Sequence, residues 1–106
     1  MDKKSVLKIL SRFREALESR GVRITRLILF GSHVEGNSRE GSDIDVIVVS
    51  EDFSGKSYWQ RIDILSDALY EVFEPIEATA MTPEEWERRG STLAEYAKDG
   101  EIIYGT

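Results

Sequence analysis

Two short apolar runs on either side of a polar loop restrict this chain more than any other feature. Ile24 to Phe30 (ITRLILF) is mainly β-branched or apolar and too short for a helix, so it reads as a buried strand. Residues 43–50 (DIDVIVVS) read as a second strand, with Ile44, Val46 and Val48 on one face and Asp43, Asp45, Ile47 and Val49 on the other. Between them Gly31 to Ser42 forms a polar loop with three Gly, Asn and Ser. Two such strands joined by a loop begin a sheet.

The remaining pattern supplies helices to cover it. Val6, Leu7, Leu10, Phe13 and Leu17 recur at helical steps, predicting an amphipathic helix over 3–19 that Gly21 ends. After a turn-rich stretch from Glu51 to Ser57, Tyr58 to Phe73 is helical by pattern, with Trp59, Ile62, Leu65, Leu69 and Val72 in one stripe. Pro75 blocks its continuation, and Ile76 to Met81 reads as a third strand. Thr82-Pro83-Glu84-Glu85 starts a short helix with a hydroxyl cap, Pro at the first position and a Glu able to close a capping box; Gly90 ends it. Ser91 to Lys98 is a last helix, and Gly100 leads into a strand at Ile102 to Tyr104. The expected fold is α+β: a small mixed β-sheet flanked by helices, in one domain over 1–106. If its strands are parallel, the strand–helix–strand stretch from Asp43 to Met81 should cross right-handed.

Composition then removes several chemistries. There is no Cys, which excludes disulfides, thiolate zinc sites and a Cys nucleophile, and the one His, His33, excludes any site needing two imidazoles. The net charge of −6 argues against non-specific binding to long nucleic acids, whose phosphates demand surplus cations. That charge is uneven, +5 over residues 1–30 and −11 over 31–106. Lys3, Lys4, Lys8, Arg12 and Arg14 make a basic start, either a docking face or simply solvated helix. No apolar run approaches the roughly 20 residues of a membrane span and no signal-peptide core follows the charged start, so the expected compartment is the cytoplasm.

What remains is carboxylate, hydroxyl and backbone chemistry. Asp43 and Asp45 stand two apart in a strand, so they share a face about 7 Å apart. Carboxylates so placed raise each other's pKa unless a cation lies between them, and Mg²⁺ takes hard oxygen ligands of this kind. Gly31-Ser32 leaves the preceding strand at a tight turn, where backbone N–H groups and a hydroxyl can meet a phosphate. Glu77 in the third strand can join the pair if that strand lies beside theirs. Each element has a structural alternative: a turn, a second turn, and a charge guarding a strand edge. Their order and spacing instead suit metal-assisted phosphoryl or nucleotidyl transfer.

The segment LILFGSHVEGNSREGSDIDVIVVS resembles the signature of nucleotidyltransferases related to DNA polymerase β, and the chain's size resembles their minimal (MNT) members. The TPEEWE helix and the closing AEYAKDGEIIYG follow the same order, so the resemblance covers nearly the whole chain. It implies that Gly31, Ser32, His33 and Ser42 contact the nucleotide, and that Asp43, Asp45 and Glu77 are catalytic and hold two Mg²⁺ ions. Two departures stand out: Glu77 occupies a place more often held by Asp, and His33-Val34-Glu35 stands where many minimal members carry Arg. His33 is thus either a partial substitute in phosphate binding or an exposed loop residue.

By the same resemblance, the expected function is transfer of AMP from ATP to a hydroxyl of a partner protein, as the MNT antitoxin of a helical HEPN RNase toxin. The shortness of the chain points the same way, since an acceptor surface must come from elsewhere. The alternative is an inactive antitoxin that neutralises its partner by binding alone. Transfer to a small molecule is a third reading, disfavoured because no second domain closes a pocket.

Overall fold

The computed structural model describes residues 2–35 and 43–105. Helix α1 (Lys3–Ser19) opens on Asp2, whose carboxylate accepts from the Ser5 N–H, and strand β1 follows at Arg26–Phe30. A single helical turn, α2 (Ser32–Glu35), occupies what reads as loop in the sequence. Strand β2 is Ile44–Val49, α3 is Tyr58–Val72, β3 is Ile76–Met81, α4 is Pro83–Arg88, α5 is Thr92–Ala97 and β4 is Glu101–Tyr104. The four strands form one mixed sheet in the order β3-β2-β1-β4, antiparallel except for the β2–β3 pair. The α+β expectation therefore holds, including the capping box between Thr82 and Glu85.

Strand alternation builds two cores. Leu27, Leu29, Ile44, Val46 and Val48 pack beneath α1 and α3, against Leu10, Phe13, Leu17 and Leu65. On the opposite face Ile28, Phe30, Ile47, Val49 and Met81 pack beneath Trp86 of α4 and Ala94 and Ala97 of α5. Both faces of β2 are therefore apolar, as a central strand requires. Asp45 breaks that pattern at one end only.

Three details differ from the sequence reading. Leu7 is exposed and Ile9 and Ala16 take its place in the core, a rotation of the buried stripe by part of a turn. Trp59 is also exposed, and the buried stripe of α3 is Leu65, Ala68 and Val72. Helical periodicity identifies an apolar arc but not which side of it the sheet meets. Finally, α3 ends on Phe73 in the left-handed conformation (φ 54°, ψ 52°), its N–H bonded to the Leu69 carbonyl at 2.9 Å. Glycine fits that backbone and a bulky side chain does not. Because the Phe73 ring is 85% exposed, Phe73→Gly should stabilise the domain by about 0.5–1 kcal/mol, seen as a higher denaturation midpoint. A lower midpoint would mean that the ring contributes packing that its exposure hides.

Candidate active site

The parallel pairing of β2 with β3 sets Asp45 directly beside Glu77. The antiparallel pairing of β1 with β2 sets Phe30 on the other side of Asp45. All three lie on the sheet face that α4 and α5 cover. Asp43 stands just before β2 and is exposed. Asp45 is half-buried, and its carboxyl is pushed above its ordinary value, first by burial and then by the charges of Glu77 and Asp43. His33, on α2, opposes this shift.

Gly31 ends β1 with φ +79°, and a Cβ there would come within 2.4 Å of Asp45 Oδ2. The turn is glycine for two reasons: the backbone angle, and a carboxylate that occupies the space of a side chain. The Gly31 carbonyl accepts from the Val34 N–H at 3.1 Å, which closes the α2 turn, and His33 on that turn lies near enough to Asp45 to favour its charged form. The structure thus gathers Gly31, Ser32, His33, Asp43, Asp45 and Glu77 at one end of the sheet. Ser42 lies outside the described residues.

A cleft of about 240 Å³ opens between Asp45 and Glu77 on the sheet and Leu93 and Tyr96 on α5, with Phe30 and Thr79 in its wall. The Phe30 and Tyr96 rings meet edge to face at 5.9 Å. Thr79 and Leu93 also line a larger hollow of about 760 Å³ with Arg61, Met81, Glu85 and Arg88. Glu85 accepts from Arg61 at 2.7 Å and from the Thr82 N–H at 2.8 Å, which ties α3 to the start of α4 on that side. Sequence reasoning passed over Thr79, Leu93 and Tyr96. Thr79 was detectable, since it lies two positions after Glu77 in a strand and so shares its face. Leu93 and Tyr96 sit on a helix that reaches the site only through tertiary packing.

The donor set suits a hard divalent cation. It consists of carboxylate oxygens, is open to solvent on the Asp43 side, and contains an acid whose ionisation the fold opposes and a cation would relieve. Among the described residues no three His, Cys, Asp or Glu side chains stand together as a complete metal-binding group. Mg²⁺ commonly uses one or two protein carboxylates and takes its other ligands from water and phosphate, so the set is compatible with it.

The sheet thus carries paired acids on neighbouring strands beside a Gly-Ser turn. The chain matches the nucleotidyltransferase domain family over residues 10–99 and belongs to it. Among solved structures, a Sulfolobus solfataricus protein provisionally assigned as a nucleotidyltransferase superimposes with a TM-score of 0.74 at 19% identity, over 95% of this chain and 81% of that one. A toxin–antitoxin structure with AMP-PNP superimposes with a TM-score of 0.59, also at 19% identity, over 91% of this chain and 73% of that one. No curated protein matches the chain. Among the described residues no helix is long and apolar enough to cross a membrane.

Proposed function

We propose that this domain transfers AMP from ATP to a hydroxyl of a partner protein in a Mg²⁺-dependent reaction, and that it serves as the MNT antitoxin of a HEPN RNase toxin. The observation that carries this reading is the side-by-side placement of Asp45 and Glu77 with Gly31 packed against Asp45. The toxin–antitoxin structure with AMP-PNP supports both the nucleotide and the partner, as the fold likeness of a distant relative.

Asp43 and Asp45 would hold Mg²⁺, with Glu77 beside them; when bound, the ion neutralises triphosphate charge and the developing charge on pyrophosphate. Gly31 and Ser32 orient the triphosphate, because a turn without a Cβ lets the phosphates approach the acids closely. His33, near enough to Asp45 to favour its charged form, faces the same side and can contact a phosphate. The nucleoside takes the space beside Thr79, Leu93 and Tyr96. The acceptor oxygen attacks the α-phosphorus, its bond to the β-phosphate bridging oxygen breaks, and pyrophosphate leaves. Glu77 accepts the hydroxyl proton, which its exposed position allows it to pass to water.

Intact-mass analysis of a co-expressed partner toxin tests the proposal. The expected result is an adduct of one or more AMP units with the unsubstituted protein and none with Asp43→Asn. An unmodified partner in a tight complex, neutralised equally by Asp43→Asn, would overturn transfer in favour of inhibition by binding.

A further inference from the structure

Helix α3 carries a second apolar stripe that the domain does not bury. Trp59 and Tyr70, with Phe73 just past the helix end, leave their rings away from the buried stripe of Leu65, Ala68 and Val72, and half-buried Ile62 borders them. Trp59 is 72% exposed and Tyr70 and Phe73 are each 85% exposed, large values for side chains of this size. Ile62 lines a hollow with Ala78 and Ala80 of β3, an edge strand, and Trp59 to Phe73 span about 22 Å of chain at helical rise. Two hollows flank the stripe, about 350 Å³ beside Tyr58 and Ile62 and about 490 Å³ beside Leu69, Phe73 and Pro75. Phe73 keeps a left-handed backbone that glycine would adopt more easily, so an aromatic ring is held in solvent at a conformational cost.

The other border of the stripe is acidic. Asp63 and Asp67 are exposed and take part in none of the ion pairs among the described residues. Glu71 and Glu74 continue the row, paired with Arg20 just past α1 and with Arg12 of α1. Aromatic side chains in a helical row, between hollows and beside surplus carboxylates, match one chemistry. We propose that this face docks an amphipathic helix of a partner protein whose apolar ridge is bordered by Lys and Arg. The apolar ridge seats between the aromatic rings and the hollows, where ring contacts dominate binding energy, and the cationic border meets Asp63 and Asp67. A second copy of this chain fits less well, since its α3 would bring the same carboxylates together. The docking face rests on the partner-protein part of the reading above and not on the transfer chemistry.

A phage-displayed library of random peptides of about 16 residues, close to the length of α3, selected against the purified domain tests this. Enriched sequences should carry apolar residues at three- and four-residue steps flanked by Lys or Arg. Their affinity should fall at least about tenfold with Tyr70→Ala and with Asp63→Lys plus Asp67→Lys. It should be unchanged in Asp43→Asn, so that loss of transfer and loss of docking are separable. Thermal melts of these surface variants confirm that each folds. Four outcomes overturn the proposal: no enrichment; enrichment without cationic bias; apolar residues at every second position, which would indicate strand addition along β3; or a dimer in sedimentation that Trp59→Ser dissolves, which would make the occupant a second copy.

Discussion

Asp45→Asn should reduce AMP transfer by more than about 100-fold while making the metal-free domain more stable at neutral pH. The activity estimate follows from position: outer partners of a metal site already cost about 10–100-fold, and Asp45 would hold the ion itself. The gain in stability follows from linkage. The Asp45 carboxyl lies above its ordinary value of 3.8 in the folded chain, because burial and the charges of Glu77 and Asp43 oppose its ionisation. A raised acid makes the folded state bind protons more tightly than the unfolded state, so stability falls as pH rises from the unfolded value through the folded one. Above that window the penalty is constant; below it there is none. Asparagine removes it. Thermal melts in EDTA should therefore coincide near pH 3 or below, about where both forms are protonated, and separate in favour of the variant by neutrality. Adding Mg²⁺ and ATP should raise the melting temperature of the unsubstituted domain and not that of the variant. A wild-type domain that is the more stable of the two at neutral pH without metal would show that the acid is a structural partner and not a strained ligand.

Gly31→Ala should cost about 2–3 kcal/mol of stability, combining left-handed backbone strain with a collision at Asp45. The angle alone (φ +79°) opposes any Cβ, and the 2.4 Å approach to Asp45 Oδ2 forces the carboxylate to move. Urea midpoints at unchanged slope measure the loss. In an Asp45→Ala background the collision disappears and only the backbone term of about 1–2 kcal/mol remains, so the two substitutions should be non-additive. Equal costs in both backgrounds would mean that Asp45 does not press on the turn. Because the displaced group is the proposed ligand, the single variant should also lose the Mg²⁺–ATP shift in melting temperature.

Much of the fold was legible because it is encoded locally. The order of elements, the Ser91 and Thr82 caps, and the two faces of β2 follow from residues within a few positions of one another. The helix stripes hold at Val6, Leu10, Phe13, Leu17, Leu65 and Val72, whereas Leu7 and Trp59 lie on apolar arcs wider than the sheet can cover. Which part of such an arc is buried depends on how the helix rolls against its neighbours, and Ile9, Ala16 and Ala68 were not in the stripes read from the sequence. The short α2 turn reads as loop in the sequence because four residues carry too little periodicity to register.

The candidate site divides along the same line. Asp43, Asp45, the Gly-Ser turn and Glu77 are all legible from residue type and spacing, as candidates for holding a cation and a phosphate. Only the tertiary structure decided that β3 runs parallel beside β2 in the register that sets Glu77 against Asp45. It also decided that Asp45 fills the space over Gly31, and that Tyr96 and Leu93 close a cleft over both acids. Sequence encodes which side chains a strand offers to a face. Register, helix roll and close approach are settled by the packing of distant segments against one another, where the free energy belongs to no single stretch of chain.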